Sequence, residues 1–505
     1  MRSKKAFKNV VYSILQQFVT ILCGLIVPRL IIKTYGSDIN GILNSITQFL
    51  AYITLLESGM GPVVKSILYK PIAQKNKTEI EQILKETERF FHKIAYIFIG
   101  YIMILCFIFP LLYQKDYSFL FIASLVIIIA VSTFFEYFFG MTYKIYLQAQ
   151  QETYIVSIIK TIGKIINTIL FVLLILFGFS IHFVKLISAL IFIMIPLVQN
   201  YYVKKKYHIM LKNIESSYKI ENKWDGLSQH IAAIIHGNTD VAVLTFLSTP
   251  IEVSVYSVYM LVINSVKEFI TSITNGLDAT FGDMLARGEQ ENLNKKFQLY
   301  EVLYFTIITI LFICTLLLIV PFVNVYTRGI TDANYNRPLF AFILVLAEFI
   351  YVQRLPYNAL TLSAGHFKQT KKGAWIEAIV NITLSIILVL KLGLVGIALG
   401  TFVAMILRTL EFIIYSSDVI LKRKRIIALK KVIVSFMEVI IVFCISIFLP
   451  KFVSFNYVSW FLYAVFIFII ASFVVFLLNF IFYKTEMKEI IYFIKQKMNK
   501  KGEKS

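Results

Sequence analysis

Apolar residues run along this chain in long blocks, broken by short polar stretches, from one end to the other. Fourteen blocks reach roughly 20 residues or more, the length that crosses a hydrocarbon core of about 30 Å. Their expected limits are 10–33, 38–69, 89–113, 117–147, 153–178, 181–203, 226–248, 251–283, 296–326, 335–364, 371–391, 393–421, 427–450 and 456–483. Several exceed the minimum, so tilt or extension beyond the bilayer is expected. The pattern predicts an all-α polytopic membrane protein.

The chain also resembles itself at an offset of about 212 residues. Asp38-Ile39-Asn40 through Asn44-Ser45-Ile46 aligns with Pro250-Ile251-Glu252 through Tyr256-Ser257-Val258. Ile72-Ala73-Gln74 aligns with Leu285-Ala286-Arg287, and Phe177-Gly178-Phe179 with Leu392-Gly393-Leu394. Six helices repeated once, plus two more, account for the total. Because six is even, both halves face the same way, as in a parallel repeat about the membrane normal. The expected organisation is an N-terminal lobe (1–205), a cytoplasmic linker (206–225), a C-terminal lobe (226–421), two further spans (422–484) and a basic cytoplasmic tail (485–505). Two such lobes, related by a pseudo-two-fold axis, would enclose a central cavity.

Composition supports the membrane reading and charge orients it. The chain is 58% hydrophobic and 16% charged, where soluble domains average about 45–50% and about 25%. Its net charge of +21 is distributed unevenly. Alternate loops, including both termini, hold 36 Lys and Arg, and the intervening set holds 6. That asymmetry puts the first set, and both termini, in the cytoplasm. The run Lys422-Arg423-Lys424-Arg425 then reads as an orientation signal and an anionic-lipid contact, with no nucleic-acid partner. Thr78-Glu79-Ile80-Glu81 reads as a capping box that starts an amphipathic helix leading into the third span. All four cysteines lie in apolar runs and form no disulfide frame.

Ionisable groups inside lipid spans are costly and normally face a cavity or a partner. Ser157, Lys160, Lys164 and Asn167 share one face of the fifth span. Lys160 and Lys164 repel at i,i+4, and Lys164 sits about 16 Å deep. An anionic ligand or an ion pair with another helix would each satisfy it. Asn264, Lys267 and Glu268 lie on the eighth span, with Thr271 and Asn275. The seventh carries Gln229, His236 and Asp240, and the second Asn40, Asn44, Gln48 and Glu57. The tenth carries Glu348 and Arg354. Arg408 of the twelfth has Glu411 at i+3, which points to a local pair. Arg29 follows Pro28 in the first span. Lys65 and Asp278 are expected at the cytoplasmic interface.

Together these stripes imply a wet cavity with both signs of charge. Arg29, Lys160, Lys164, Asn167, Asn264, Lys267, Arg354 and Arg408 are the candidates for substrate contact. Glu57, Asp240, Glu268 and Glu348 are candidates for exchanging a proton or Na⁺, although each could equally serve a structural ion pair. No G-x-x-x-x-G-K-[ST] loop and no metal-ligand spacing of His and Cys occurs, so neither ATP hydrolysis by that route nor a metal or other cofactor is expected. The outer loops are short, which weighs against a membrane polymerase or glycosyltransferase.

Local patterns carry a resemblance over nearly the whole chain. They are Pro28-Arg29-Leu30 with Tyr35-Gly36-Ser37-Asp38-Ile39-Asn40-Gly41-Ile42, then Leu56-Glu57-Ser58-Gly59-Met60-Gly61. To these add the stretch from Asp240 to Tyr256 and Leu392-Gly393-Leu394-Val395-Gly396-Ile397-Ala398. With the two-lobed plan, the chain resembles the polysaccharide-type flippases of the multidrug/oligosaccharidyl-lipid/polysaccharide exporter superfamily. The resemblance implies a MATE-like transporter, not an enzyme, that moves an undecaprenyl-diphosphate-linked sugar repeat unit to the outer leaflet by ion-coupled alternating access. It implies a monomer in the bacterial plasma membrane, with polymerase and chain-length proteins of the pathway as partners. A drug or cation antiporter of the same fold is the alternative.

Overall fold

The computed structural model describes residues 2–57, 59–211, 214, 220, 227–274, 278–366, 369–449 and 456–502. The expected linker lies largely outside them, and so do the side chains of Ser58, Gln229, His236, Asn275 and Asp278. The chain divides into two compact units, Met1–Ser257 and Val258–Ser505. Among the described residues the regular structure is helical, with no strand.

The first unit holds α1 (Arg2–Tyr35), α2 (Ser37–Ala51), α3 (Thr54–Glu57), α4 (Met60–Gln74) and α5 (Lys77–Leu112). They are followed by α6 (Phe119–Phe135), a π-helical turn (Glu136–Gly140), α7 (Met141–Ala149), α8 (Thr153–Leu176), α9 (Ile181–Tyr207) and α10 (Leu227–Leu247). Helix α11 (Pro250–Thr274) begins in the first unit and continues in the second. The second unit adds α12 (Asp278–Ala286), α13 (Gln290–Tyr326), α14 (Pro338–Gln353), α15 (Leu355–Ser363), α16 (Lys371–Leu392) and α17 (Leu394–Tyr415). A π turn (Ser416–Ile420), α18 (Ile426–Phe448), α19 (Tyr457–Phe482) and α20 (Lys484–Gly502) complete it.

Thirteen helical segments among the described residues are long and apolar enough to cross a membrane. The remaining expected span corresponds to α10, a 21-residue helix whose first half has side chains outside the description. The exposed faces suit lipid: Leu462, Phe473 and Ile481 of α19 are each more than 60% exposed apolar surface.

Several expected spans are interrupted. The second, expected as one run over 38–69, breaks into α2, α3 and α4, and Gly59 at the start of α4 takes a left-handed conformation with φ 84°. The tenth breaks at Arg354, because Pro356 has no N–H to give the carbonyl four residues back. That carbonyl, of Val352, instead accepts the Tyr304 hydroxyl at 2.8 Å. Helix α5 runs unbroken for 36 residues, so the amphipathic segment is an extension of the third span. Its N-cap is Asn76, whose side chain accepts from the Glu79 amide at 3.2 Å, two residues ahead of the expected Thr78 box. Asn caps as well as or better than Thr and reaches the helix first.

The repeat is visible element by element. The long helices α5 and α13 have 36 and 37 residues, and α8 and α16 have 24 and 22. The aligned glycines Gly178 and Gly393 both adopt positive φ, 76° and 56°, in the tight joins that follow α8 and α16.

Each unit has a basic end and an opposite end. In the first, Lys5, Glu81, Glu152 and Lys206 gather with the backbone of Gln150 and Met210. At the other end, the Tyr35 hydroxyl meets the Phe179 carbonyl at 2.6 Å and the Tyr117 hydroxyl meets Asp38. In the second unit, Arg423 bonds Glu301, and Gln290 bonds the Ile420 carbonyl, at the basic end.

Glu152 ties the first unit's basic end together. Lys206 reaches it at 2.8 Å and Lys5 at 3.1 Å, which links α1, α8 and α9. Burial pushes the Glu152 carboxyl up, but hydrogen bonds from Lys206, Tyr207 and Lys5 outweigh burial and hold it below the usual carboxylate range. A carboxyl depressed in the fold stabilises above its unfolded value, and that contribution is lost as pH falls through the depressed one. Thermal melts of Glu152→Gln should therefore lie below wild type near neutral pH. The gap should close as pH drops below about 4.3, the ordinary Glu value. A gap constant across that window would refute the account.

Candidate functional site

The fifth-span stripe lies on α8. Ser157 and Asn167 are buried, and Lys160 and Lys164 are half-buried. Helix α9 crosses close by because small residues let it. A Cβ on Gly140 would meet Pro196 Cβ at 2.6 Å, and one on Gly163 would meet Ile195 Cδ1 at 2.8 Å. The π turn of Glu136–Gly140 adds a residue to the helical register at this crossing, a device frequent at functional sites.

Two cavities open around that turn. One, of about 340 Å³, is lined by Gln16 and Thr20 of α1, by Glu136, by Lys160 and Lys164 of α8, and by Gln199 of α9. The other, of about 300 Å³, shares Thr133 and Glu136 with it and reaches Glu57, Tyr137 and Lys144. Glu136 stands 3.5 Å from Lys144 and 3.9 Å from Lys160, and Tyr137 donates to Glu57 at 3.2 Å. Among the described lining residues three lysines face two carboxylates, an excess of one positive charge. Both charge signs, a phenol, amides and hydroxyls in one recess can hold an anion flanked by hydrogen-bond donors. Asn167, one turn beyond Lys164, has a buried Oδ1 without a hydrogen-bond partner.

Glu136 and Lys144 were not singled out from the sequence. The available signal was an acid inside an aromatic run, Phe134-Phe135-Glu136-Tyr137-Phe138-Phe139, in a membrane span. Arg29 is half-buried on α1, nine residues past Thr20 and so about 13 Å farther along the helix, and lines neither cavity.

The polar stripe of α2 is used for helix packing. Asn40 donates to Ser254 at 2.8 Å, Ser45 accepts from Thr245 at 2.8 Å, and Gln48 bonds Asn238. Asn44 bonds the carbonyl of Asn40. The approach is tight: a Cβ on Gly41 would lie 1.7 Å from the Pro250 carbonyl oxygen. Asp240, 5% exposed on α10, accepts the Tyr256 hydroxyl at 2.8 Å.

In the second unit the candidate cations are engaged with acids. Lys267 reaches Glu348 at 2.6 Å. Arg354 meets Glu377 at 2.8 Å, Glu377 meets Arg408 at 3.3 Å, and Arg408 meets Glu411 at 2.5 Å. The Tyr351 ring bridges the sequence, 4.4 Å from Lys267 and 4.6 Å from Arg354. Gly373 makes room for the Glu411 carboxylate, since a Cβ there would overlap it at 1.5 Å. Three cations match three acids. Glu377, absent from the sequence-based candidates, is shared by two arginines. Asn264 and Glu268 are exposed on α11.

No protein-family model matches the sequence, and no curated protein matches it. Solved structures match the fold. A lipid II flippase, MurJ, in an inward closed conformation, superposes with a TM-score of 0.67 at 16% identity, covering 94% of this chain and 99% of that one. An inward-facing multidrug resistance MATE family transporter of the MOP superfamily gives 0.56 at 14% identity, over 80% of this chain and 95% of its own. The Vibrio cholerae MATE transporter VcmN in its bent form gives 0.53 at 12% identity, over 83% and 97%. The chain has the all-α polytopic fold that MurJ and the MATE transporters share.

Two outcomes follow from the packing. Glu377→Gln leaves Arg354 and Arg408 short of a buried counter-charge and should cost about 3–5 kcal/mol, read as a lower unfolding midpoint in detergent. Gly140→Ala presses on the rigid Pro196 ring and should cost about 1–3 kcal/mol. Gly163→Ala meets only the flexible tip of Ile195 and should cost less; equal losses at both glycines would contradict this packing.

Proposed function

We propose that this protein flips an undecaprenyl-diphosphate-linked oligosaccharide repeat unit from the cytoplasmic to the outer leaflet of a bacterial plasma membrane, for polysaccharide biosynthesis. The observation that carries the reading is the excess positive charge of the α8 recess, where Lys160 and Lys164 line a cavity of about 340 Å³. A diphosphate is doubly anionic and suits paired ammonium groups with nearby amide donors. The shared fold with a lipid II flippase supports a lipid-linked cargo. The basic loops and termini support a cytoplasmic location for both chain ends. Glu136 and Glu57, beside the lysines and a phenol, supply groups that could take up a proton as the cargo leaves, which is the simplest coupling the recess offers. In the second unit, Lys267, Arg354 and Arg408 act chiefly as structural cations on this reading, because each already meets an acid.

A second reading is export of organic cations, favoured by the carboxylates Glu57 and Glu136 in the same recess and by the fold shared with MATE transporters. The excess of lysine over acid weighs against it.

The test is surface polymer and leaflet distribution of the lipid-linked intermediate in cells that depend on this protein. Lys160→Ala and Lys164→Ala should each reduce export by about ten-fold or more, the scale of one lost charged hydrogen bond, with membrane abundance unchanged. Undiminished export in the double variant, or cationic-drug efflux with normal polymer, would overturn the proposal.

A further inference from the structure

A polar layer in the second unit belongs neither to the arginine chain nor to any candidate named from the sequence. Glu438 of α18 is 1% exposed, its Oε1 has no hydrogen-bond partner, and it forms no ion pair among the described residues. One turn earlier on the same helix, Ser435 accepts from Gln353 Nε2 at 2.9 Å. That bond orients the α14 amide toward α18 and leaves Gln353 Oε1 unpartnered in a side chain that is 0% exposed.

Helices α13 and α19 pack against α18. Val434 of α18 packs with Val302 of α13 and with Tyr483, which follows α19. The Tyr483 hydroxyl is buried and unpartnered, and burial together with the nearby charge of Glu438 holds its ionisation above the usual phenol range. On α13, Thr306 accepts from Asn479 at 3.2 Å, and one turn further Thr309 has an unpartnered Oγ1 at 0% exposure. The register agrees. From the Glu301–Lys431 ion pair at 3.2 Å, Thr309 stands eight residues along α13 and Glu438 seven along α18, about 12 and 10.5 Å at the helical rise.

Nearby cations do not pair with Glu438 among the described residues: Lys430, 5.2 Å from the Tyr483 ring, is exposed and bonds the Phe482 carbonyl. Lys431 and Arg423 both bind Glu301, and Glu486 lies within electrostatic reach of Lys431, so these two cations already face two acids. A buried carboxylate without a counter-charge is costly, and so is each unpartnered oxygen around it. One small cation relieves both. A single carboxylate balances a single positive charge, and a donor set made only of oxygens selects a hard ion. Among the described residues no cluster of His, Cys and acids offers a transition-metal alternative.

We propose that Glu438, Gln353, Thr309 and Tyr483 form a buried binding site for a monovalent alkali cation. The site stands independently of the cargo reading. Its test uses the purified full chain in detergent, with the unfolding midpoint titrated by NaCl or KCl against choline chloride at constant ionic strength. The midpoint should rise and saturate with Na⁺ or K⁺ and stay level with choline. Glu438→Gln should abolish the rise. Thr309→Val, which keeps shape and removes one oxygen, should raise the half-saturating concentration about ten-fold. If Glu438→Gln does not fold, Thr309→Val decides, and an unchanged half-saturation there overturns the site. A wild-type midpoint indifferent to alkali cations, including one that responds only to acidification, overturns it as well, as does a full response in folded Glu438→Gln.

Discussion

A charge carried into lipid must meet an opposite charge or a ligand, because water is no longer there to solvate it. The two units answer this constraint differently. In the second, Lys267, Arg354 and Arg408 are matched by Glu348, Glu377 and Glu411, and Glu301 is matched by Arg423 and Lys431. The first of these groups, three cations against three acids, is neutral and already satisfied, so it holds helices in register. In the first unit, three lysines face two acids among the described residues that line the α8 recess. An incompletely balanced recess has affinity to spend on an anion; a balanced network has little. That difference, rather than the number of cations in either unit, makes α8 the centre of the functional reading.

Backbone proximity sets where these charges can sit. Helix α9 comes near α8 and the π turn because Gly140 and Gly163 have no side chain, and Pro196 fills the space at one of them. The α2 crossing at Pro250 depends on Gly41 in the same way, and Glu411 depends on Gly373. Interruptions matter as much. Pro356 frees the Val352 carbonyl, and Tyr304 takes it, so a break in one helix becomes a bond to its neighbour. The π turn carries Glu136 to the lysines of α8 through the same economy of local irregularity buried against protein.

Much of the architecture was legible in the order of residues. Span positions follow from apolar run length. The repeat was readable down to the paired positive-φ glycines Gly178 and Gly393. Helix breaks were less legible: Gly59 and Pro356 sit inside apolar runs whose length argues for continuity. The true cap of α5 lay two residues ahead of the expected one, because Asn76 and Thr78 both fit the capping chemistry and only helix geometry chooses between them.

The sequence by itself determined that this chain crosses a membrane many times, that its helices repeat once, and that α8 presents two lysines on one face. Those properties depend on run length and on spacing along one helix, which the backbone's helical period converts directly into geometry. Tertiary structure alone decided which charges are cancelled. Glu377 lies 23 residues from Arg354 and 31 from Arg408 in the chain, yet it meets both, while Arg29 lines neither cavity around α8. Coulomb energy depends on distance in space and on the local dielectric, and neither is encoded in separation along the chain.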